Sequence, residues 1–317
     1  MIEKREPMKP EKAIRFVTAF IAAFVLCTIV AFAQKAYTLD ELDQFIKVER
    51  ISERVLVIRM GHANFTETVT AIATQKGIVV IDAGMNPSVS EKYRKIIEQE
   101  FKRTDFVYVI NTHADMDHTF GDRIFPEAKI VGHNIMKREL VTRWGDAANR
   151  PTFAEYVNQW NENLTKVGEN SDEGKQLKIL ISRVKYMILD FKSSFVLPLP
   201  AITFNDKMTL NMGDITFHLY YFGKAHRESD ILIYVPQEKI LFVGDLFGAT
   251  GQVAFDQYNH ENVERWSTTL NEILKSENGI EYVVNGHNGS TMGKDVLLVF
   301  NNDVQKIRNE LSHESMK

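Results

Sequence analysis

The chain has 317 residues, of which 44% are hydrophobic and 25% charged, and a formal net charge of −4. That is enough chain to bury a large core, and the negative balance gives no basic face for a nucleic-acid partner. The single cysteine, Cys27, sits in an N-terminal segment expected to be removed, so disulfides, a cysteine nucleophile and thiolate metal ligands are all excluded from the mature chain.

Residues 1–33 differ in character from the rest of the chain. Lys9, Lys12 and Arg15 precede an uncharged run over 16–33 that ends in Ala31-Phe32-Ala33, the small-x-small pattern that signal peptidases cut. The expectation is a signal peptide over 1–33, a mature chain from Gln34 and a periplasmic protein. The alternative is an uncleaved anchor, because about 18 apolar residues can just span a bilayer. Only in that case is a membrane a partner.

Residues 34–53 read as a lead-in to a domain over 54–317. Within it, 54–58, 67–73 and 77–81 read as strands, the last ending in Asp82-Ala83-Gly84 with glycine at the turn. A helix is predicted from 87 to 101, opening on Pro87 with Ser88 or Ser90 as cap. Strand 106–110 runs directly into Asn111-Thr112-His113, and 129–131 is a further strand. Residues 134–195 are charged, with helical periodicity around Trp160 and over 177–191, and read as a helical insertion covering one side. Strands resume at 207–210, 215–222, 231–235 and 239–243, then a helix at 261–274, a strand at 282–284 and a closing helix over 294–311. Two β-rich halves, each ending in helix, suggest an α/β protein of four layers with the sheets inside. Periodicity alone leaves other α/β arrangements open.

Potential metal ligands follow these strands. His113, Asp115, Asp117 and His118 fall within six positions; His226, Asp245 and His287 each follow a later hydrophobic run. A metal site needs lone-pair donors converging from several rigid elements. Singly, His226 and His287 are more commonly ordinary hydrogen-bonded residues, and Asp245 a turn residue. The cluster at 113–118 is different, because so dense a group of charges at a buried strand end is costly without a cation.

The run from Thr112 to His118, with Gly121 after it, resembles the His-x-His-x-Asp-His signature of the metallo-β-lactamase superfamily. Gly223-Lys224-Ala225-His226, Gly244-Asp245 and Gly286-His287 look like its next motifs in order, and Asp82-Ala83-Gly84 like its early one. The resemblance implies a four-layer αββα metallo-β-lactamase sandwich and a site for two divalent metal ions at the edge between its sheets. It implies that His113, Asp115 and His226 hold one metal, that Asp117, His118 and His287 hold the other, and that Asp245 bridges them. It also implies a small-molecule substrate, a hydroxide held between the metals as nucleophile, and Asp117 as the catalytic residue that orients it. The implied reaction is hydrolysis of an ester, thioester, lactone or lactam.

This sequence departs from the family at Asp115, where most members have a second histidine. A third carboxylate makes the site less positive. Zinc is the expected metal, with preference moved toward iron or manganese. The flavodiiron oxidoreductases resemble the same pattern, with a carboxylate at this position, and supply the alternative reading. A β-lactamase proper is a second alternative, although Asp245 stands where the principal subclasses carry a thiolate. Arg227 and His133 are candidate substrate-binding residues, Arg227 for an anionic group beside the metals. Trp144, Phe153, Tyr156 and Trp160 in the insertion suggest an apolar wall or ordinary helix packing.

Overall fold

The computed structural model describes residues 36–61, 67–145, 152–191, 196–246, 263–266, 271, 279–287, 292–293 and 295–314. The expected signal segment at 1–33 and most of the helix expected at 261–274 lie outside the described residues. No helix among the described residues is long and apolar enough to cross a membrane.

The first sheet has seven strands in sequential order: β1 (Ile46–Ser52), β2 (Val55–Met60), β3 (Glu67–Thr74), β4 (Gly77–Ile81), β5 (Phe106–Ile110), β6 (Lys129–His133) and β7 (Ile202–Phe204). The first four pair antiparallel and the last four parallel. Two of its strands escaped sequence reading. β1 lies in the supposed lead-in and is half exposed, because an edge strand covers the sheet on one side only and so loses its hydrophobic run. β7 is three residues long, too short to show a period.

The second sheet has the order β13-β12-β11-β10-β9-β8, with β8 (Lys207–Asn211), β9 (Thr216–Tyr221), β10 (Ile231–Val235), β11 (Ile240–Phe242), β12 (Tyr282–Val284) and β13 (Met292–Gly293). β10 is antiparallel to both β9 and β11, and β11 is parallel to β12. β9, β11 and β12 therefore run the same way and end on the same edge.

The layers follow from which faces are apolar. Val55, Val57, Val79 and Ile110 of the first sheet pack against Phe217, Leu219, Ile233 and Phe242 of the second. On the outer face of the first sheet lie Val89, Tyr93 and Ile97 of α2 (Pro87–Phe101), after a short α1 (Leu39–Leu42). On the outer face of the second lie Trp266 and, from α7 (Asp295–Glu314), Leu297 and Val304. With both faces covered, β2, β4 and β10 are buried throughout, which is why they read as continuous hydrophobic runs. The arrangement is the expected αββα sandwich.

The insertion lies between β6 and β7 and consists of α4 (Met136–Trp144), α5 (Thr152–Val167) and α6 (Asp172–Phe191). It is tied to the body by a buried ion pair: Arg183 of α6 bonds Glu67 at the start of β3. The same carboxylate accepts the Tyr93 hydroxyl and, at 2.9 Å, the Met85 amide. Trp144 and Phe153 stack on each other and pack with Phe120 and Phe191, so these aromatics are core packing. Tyr156 is 53% exposed and stacks on Trp160.

Candidate metal centre

All seven candidate ligands converge at one edge of the sandwich. His113, Asp115, Asp117 and His118 follow β5 and run into the short α3 (Met116–Thr119). His226, Asp245 and His287 leave the common edge of β9, β11 and β12. This is the carboxyl end of the strands, where α/β sheets place their ligands. Backbone hydrogen bonds fix the loops to one another: Ile231 N to Thr112 O at 2.9 Å, Ala83 N to His118 O at 2.8 Å and Gly286 N to Gly244 O at 2.9 Å.

The side chains form two groups. His113, Asp115, His226 and Asp245 offer ligand atoms that all lie within 4.8 Å of one another, as do Asp117, His118 and His287. In the first group, Asp115 Oδ2 lies 3.1 Å from His226 Nε2 and 3.6 Å from His113 Nε2; Asp245 Oδ2 lies 3.7 and 3.8 Å from His113 and His226 Nε2. Four ligands about 2.0–2.1 Å from a tetrahedral zinc would be separated by about 3.3–3.4 Å, so these atoms fit such a cage. In the second group, His287 Nε2 is 3.2 Å from Asp117 Oδ2 and 2.9 Å from Asp245 Oδ2, while His118 Nε2 is 3.3 Å from Asp245 Oδ1. Asp245 thus presents oxygens to both groups.

Two further observations support a cation here. Among the described residues, His113 Nε2 and His118 Nε2 are buried with no hydrogen-bond partner, an arrangement that is costly unless something else uses their lone pairs. Gly286 passes so close that a Cβ there would lie 2.1 Å from Asp245 Oδ1 and 2.6 Å from His118 Cε1. The backbone makes room for the ligands only because residue 286 has no side chain.

The polar residues behind the ligands set their tautomers. Asp82 adopts φ 52°, a left-handed conformation that costs a non-glycine residue about 1–3 kcal/mol and is kept only where the surroundings impose it. Its Oδ1 accepts the Thr112 amide at 2.8 Å; its Oδ2 faces the Thr112 hydroxyl at 2.8 Å and His118 Nδ1 at 2.9 Å. Thr112 Oγ1 in turn meets His113 Nδ1 at 3.0 Å. Because the threonine spends its only hydroxyl proton on Asp82, it accepts from His113. Both imidazoles therefore carry their proton on Nδ1 and turn a lone pair on Nε2 inward.

The electrostatics agree. Burial disfavours charge on His287, yet the carboxylates of Asp245 and Asp117 hold it up to about 10. Burial likewise opposes ionisation of Asp117, but His118 and His287 keep it well below the usual carboxylate range. The negative field that holds a proton on His287 is one a divalent cation would take over. Asp230 is buried behind His226, accepts the Arg227 amide at 2.6 Å, and is pushed up to about 6 by burial.

Asp115 has the least expected surroundings. Arg143 Nη1 bonds its Oδ1, and Arg227 Nε lies 2.7 Å from Oδ1 and 2.9 Å from Oδ2. Arg227 is thus turned onto a candidate ligand rather than onto open space for a substrate anion. Arg143 was not legible as a site residue, because it lies 28 positions from Asp115 on an inserted helix. His133 also differs from the substrate-facing reading. It is 2% exposed and stacked on Tyr221 with ring centroids 3.6 Å apart. Its Nε2 donates to Asn205 O at 2.7 Å, and its Nδ1 accepts the Ile135 amide at 3.4 Å, which leaves no nitrogen for a substrate.

The chain is similar to known proteins in sequence and in fold. The family model described as the metallo-beta-lactamase superfamily matches residues 64–287. The chain is 28% identical to a metallo-beta-lactamase type 2 of Bacteroides fragilis over 49% of its own length and 61% of that protein's. It is 25% identical to the type 2 enzyme of Bacillus cereus over 68% of its length and 64% of the relative's. It therefore spans somewhat under two thirds of the length of each. The metallo-beta-lactamase of Pontibacter korlensis shares the fold with a TM-score of 0.54 at 17% identity, over 82% of this chain and 99% of that one.

Proposed function

Since the chain belongs to the metallo-beta-lactamase superfamily, we propose that it is a metal-dependent hydrolase acting on an ester, thioester, lactone or lactam of a small molecule. The observation that carries this reading is the pair of adjoining ligand groups, His113, Asp115, His226 and Asp245 beside Asp117, His118 and His287. Imidazole and carboxylate donors without thiolate suit zinc, and iron or manganese as harder alternatives. When bound, such cations acidify water to a pKa of about 7 and polarise the oxygen of the bond to be cleaved.

The chain's own residues then have separable tasks. Asp82 and Thr112 hold His113 and His118 in the ligating tautomer. Asp245 faces both groups and keeps them adjacent. Asp117, whose side chain is 20% exposed, faces His287 as an ionised carboxylate. There it can orient an attacking water, accept its proton and return that proton to the leaving group. Lactam hydrolysis is one branch of the proposal, favoured by the naming of the curated relatives as metallo-beta-lactamases.

The test uses the mature chain. Elemental analysis should find up to two metal ions per chain, and a panel of ester, lactone and lactam substrates should show turnover that a chelator abolishes. Asp117→Ala should remove turnover while the fold remains. Turnover that survives complete demetallation would end the proposal, and redox-active iron without hydrolysis would favour the di-iron alternative. The segment ending at Ala33 supports export by a cleaved signal, tested by a mature N-terminus at Gln34.

A further inference from the structure

Asp115 replaces a neutral ligand by a charged one and yet does not stand alone. Its two oxygens share Arg227 and otherwise have different neighbours. Oδ2 lies toward the imidazoles, 3.1 Å from His226 Nε2 and 3.6 Å from His113 Nε2. Oδ1 lies away from them and takes Arg143 Nη1 and, at 2.7 Å, Arg227 Nε, which also leans on Oδ2 at 2.9 Å. The carboxylate is 11% exposed and the two guanidinium side chains are 31% and 18% exposed, so the contacts are screened only in part.

The arginines are themselves fixed. Arg143 lies in the last turn of α4, beside Trp144, whose indole nitrogen donates to Ala114 O at 3.2 Å. The same helix reaches the other ligand loop, because Glu139 accepts the Ser229 hydroxyl at 2.6 Å. Arg227 follows His226 directly and returns a hydrogen bond to the His226 carbonyl at 3.0 Å. One inserted helix therefore joins the loop that bears Asp115 to the loop that bears His226.

Resting on the metal-centre reading above, we propose that Arg143 and Arg227 are positioning residues that turn Asp115 into a one-oxygen metal ligand and offset its charge. A carboxylate free on both oxygens can chelate a cation through both and so raise its coordination number. Clamped on Oδ1, Asp115 offers Oδ2 alone, as an imidazole offers one nitrogen, and the first group presents four donor atoms rather than five. Two guanidiniums against one carboxylate also return positive charge to a site that three carboxylates would otherwise neutralise, and so keep its Lewis acidity. The His-to-Asp replacement and the two arginines are then one device.

Cobalt(II) is the probe, since its visible bands weaken with each donor added to its coordination shell. The mature wild-type chain should bind cobalt with intense bands. The Arg143→Gln, Arg227→Gln double variant should keep its cobalt and lose most of that intensity. Arg227→Lys, which keeps the charge but not the planar fork, should fall between. In an Asp115→His background the same arginine substitutions should leave the bands unchanged, with far-UV dichroism confirming the fold throughout. Wild-type bands in the double variant would overturn the clamp while leaving the hydrolase reading intact. So would Asp115→Ala with an unaltered spectrum. A wild-type chain that takes up no cobalt, zinc or iron would overturn both.

Discussion

The substitution Asp82→Asn separates shape from proton placement, because it alters no volume in a site buried to 3% exposure. In the native chain Oδ2 accepts from both the Thr112 hydroxyl and His118 Nδ1, while Oδ1 accepts the Thr112 amide. An asparagine must put an NH2 group at one of these places. If the amide nitrogen takes the Oδ2 place, it donates toward His118 and toward Thr112. His118 then carries its proton on Nε2, where it blocks ligation, and the freed threonine hydroxyl can reverse His113 in the same way. If it takes the Oδ1 place, it opposes the Thr112 amide hydrogen. A hydrogen bond to a charged group contributes about 1.5–3 kcal/mol, and loss of such an outer partner of a metal-bound histidine lowers metal affinity about 10- to 100-fold. We expect that loss at the group containing His118, and a smaller one at the group containing His113. Competition against a chromophoric chelator measures both, and nitrogen NMR of the imidazoles reports the tautomer. Thr112→Val should affect the His113 group alone. Native affinity in Asp82→Asn, with both imidazoles still protonated on Nδ1, would refute the relay.

Two further predictions concern stability. Arg183 and Glu67 are 3% and 1% exposed, so Arg183→Met should destabilise the chain by about 3–5 kcal/mol by leaving a buried carboxylate uncompensated; urea unfolding measures this, and a loss below about 1 kcal/mol would show that Tyr93 and Met85 suffice. Asp122 is buried, with Oδ1 on Asn111 and no partner for Oδ2 among the described residues; burial first, and then Asp82, raise its pKa well above the ordinary value against the Asn111 hydrogen bond. Its folded-state pKa lies above its unfolded one, so the native chain loses stability from this group as pH rises past about 4, where the unfolded carboxyl ionises. Asp122→Asn should therefore be the more stable chain near neutral pH and close to the native one below pH about 4. Parallel stability curves for the two across that range would contradict it.

The site's chemistry was written in the sequence because its ligands are strand-end residues. A strand that must be buried on both faces shows as a hydrophobic run, and the polar residue that ends it shows against that run, as at Ile110 before His113 and Val284 before His287. Ile231–Val235 was legible to the residue for the same reason, and so was the extent of Pro87–Phe101, although its N-cap is Asn86 and the expected caps Ser88 and Ser90 lie inside the helix. β1 and β7 were not, because an edge strand has one wet face and a three-residue strand has no period.

What tertiary structure alone decided is which way each polar side chain faces. His133 ends β6 and His226 follows β9, yet one is stacked on Tyr221 with both nitrogens engaged and the other faces Asp115. Arg143, on a helix between β6 and β7, meets Asp115 only because α4 packs against the loop that bears it. Residue type and strand order are local properties that one-dimensional pattern preserves. The partner of a buried charge is settled by whichever opposite charge the packed layers bring within hydrogen-bond reach, and that distance exists only in three dimensions.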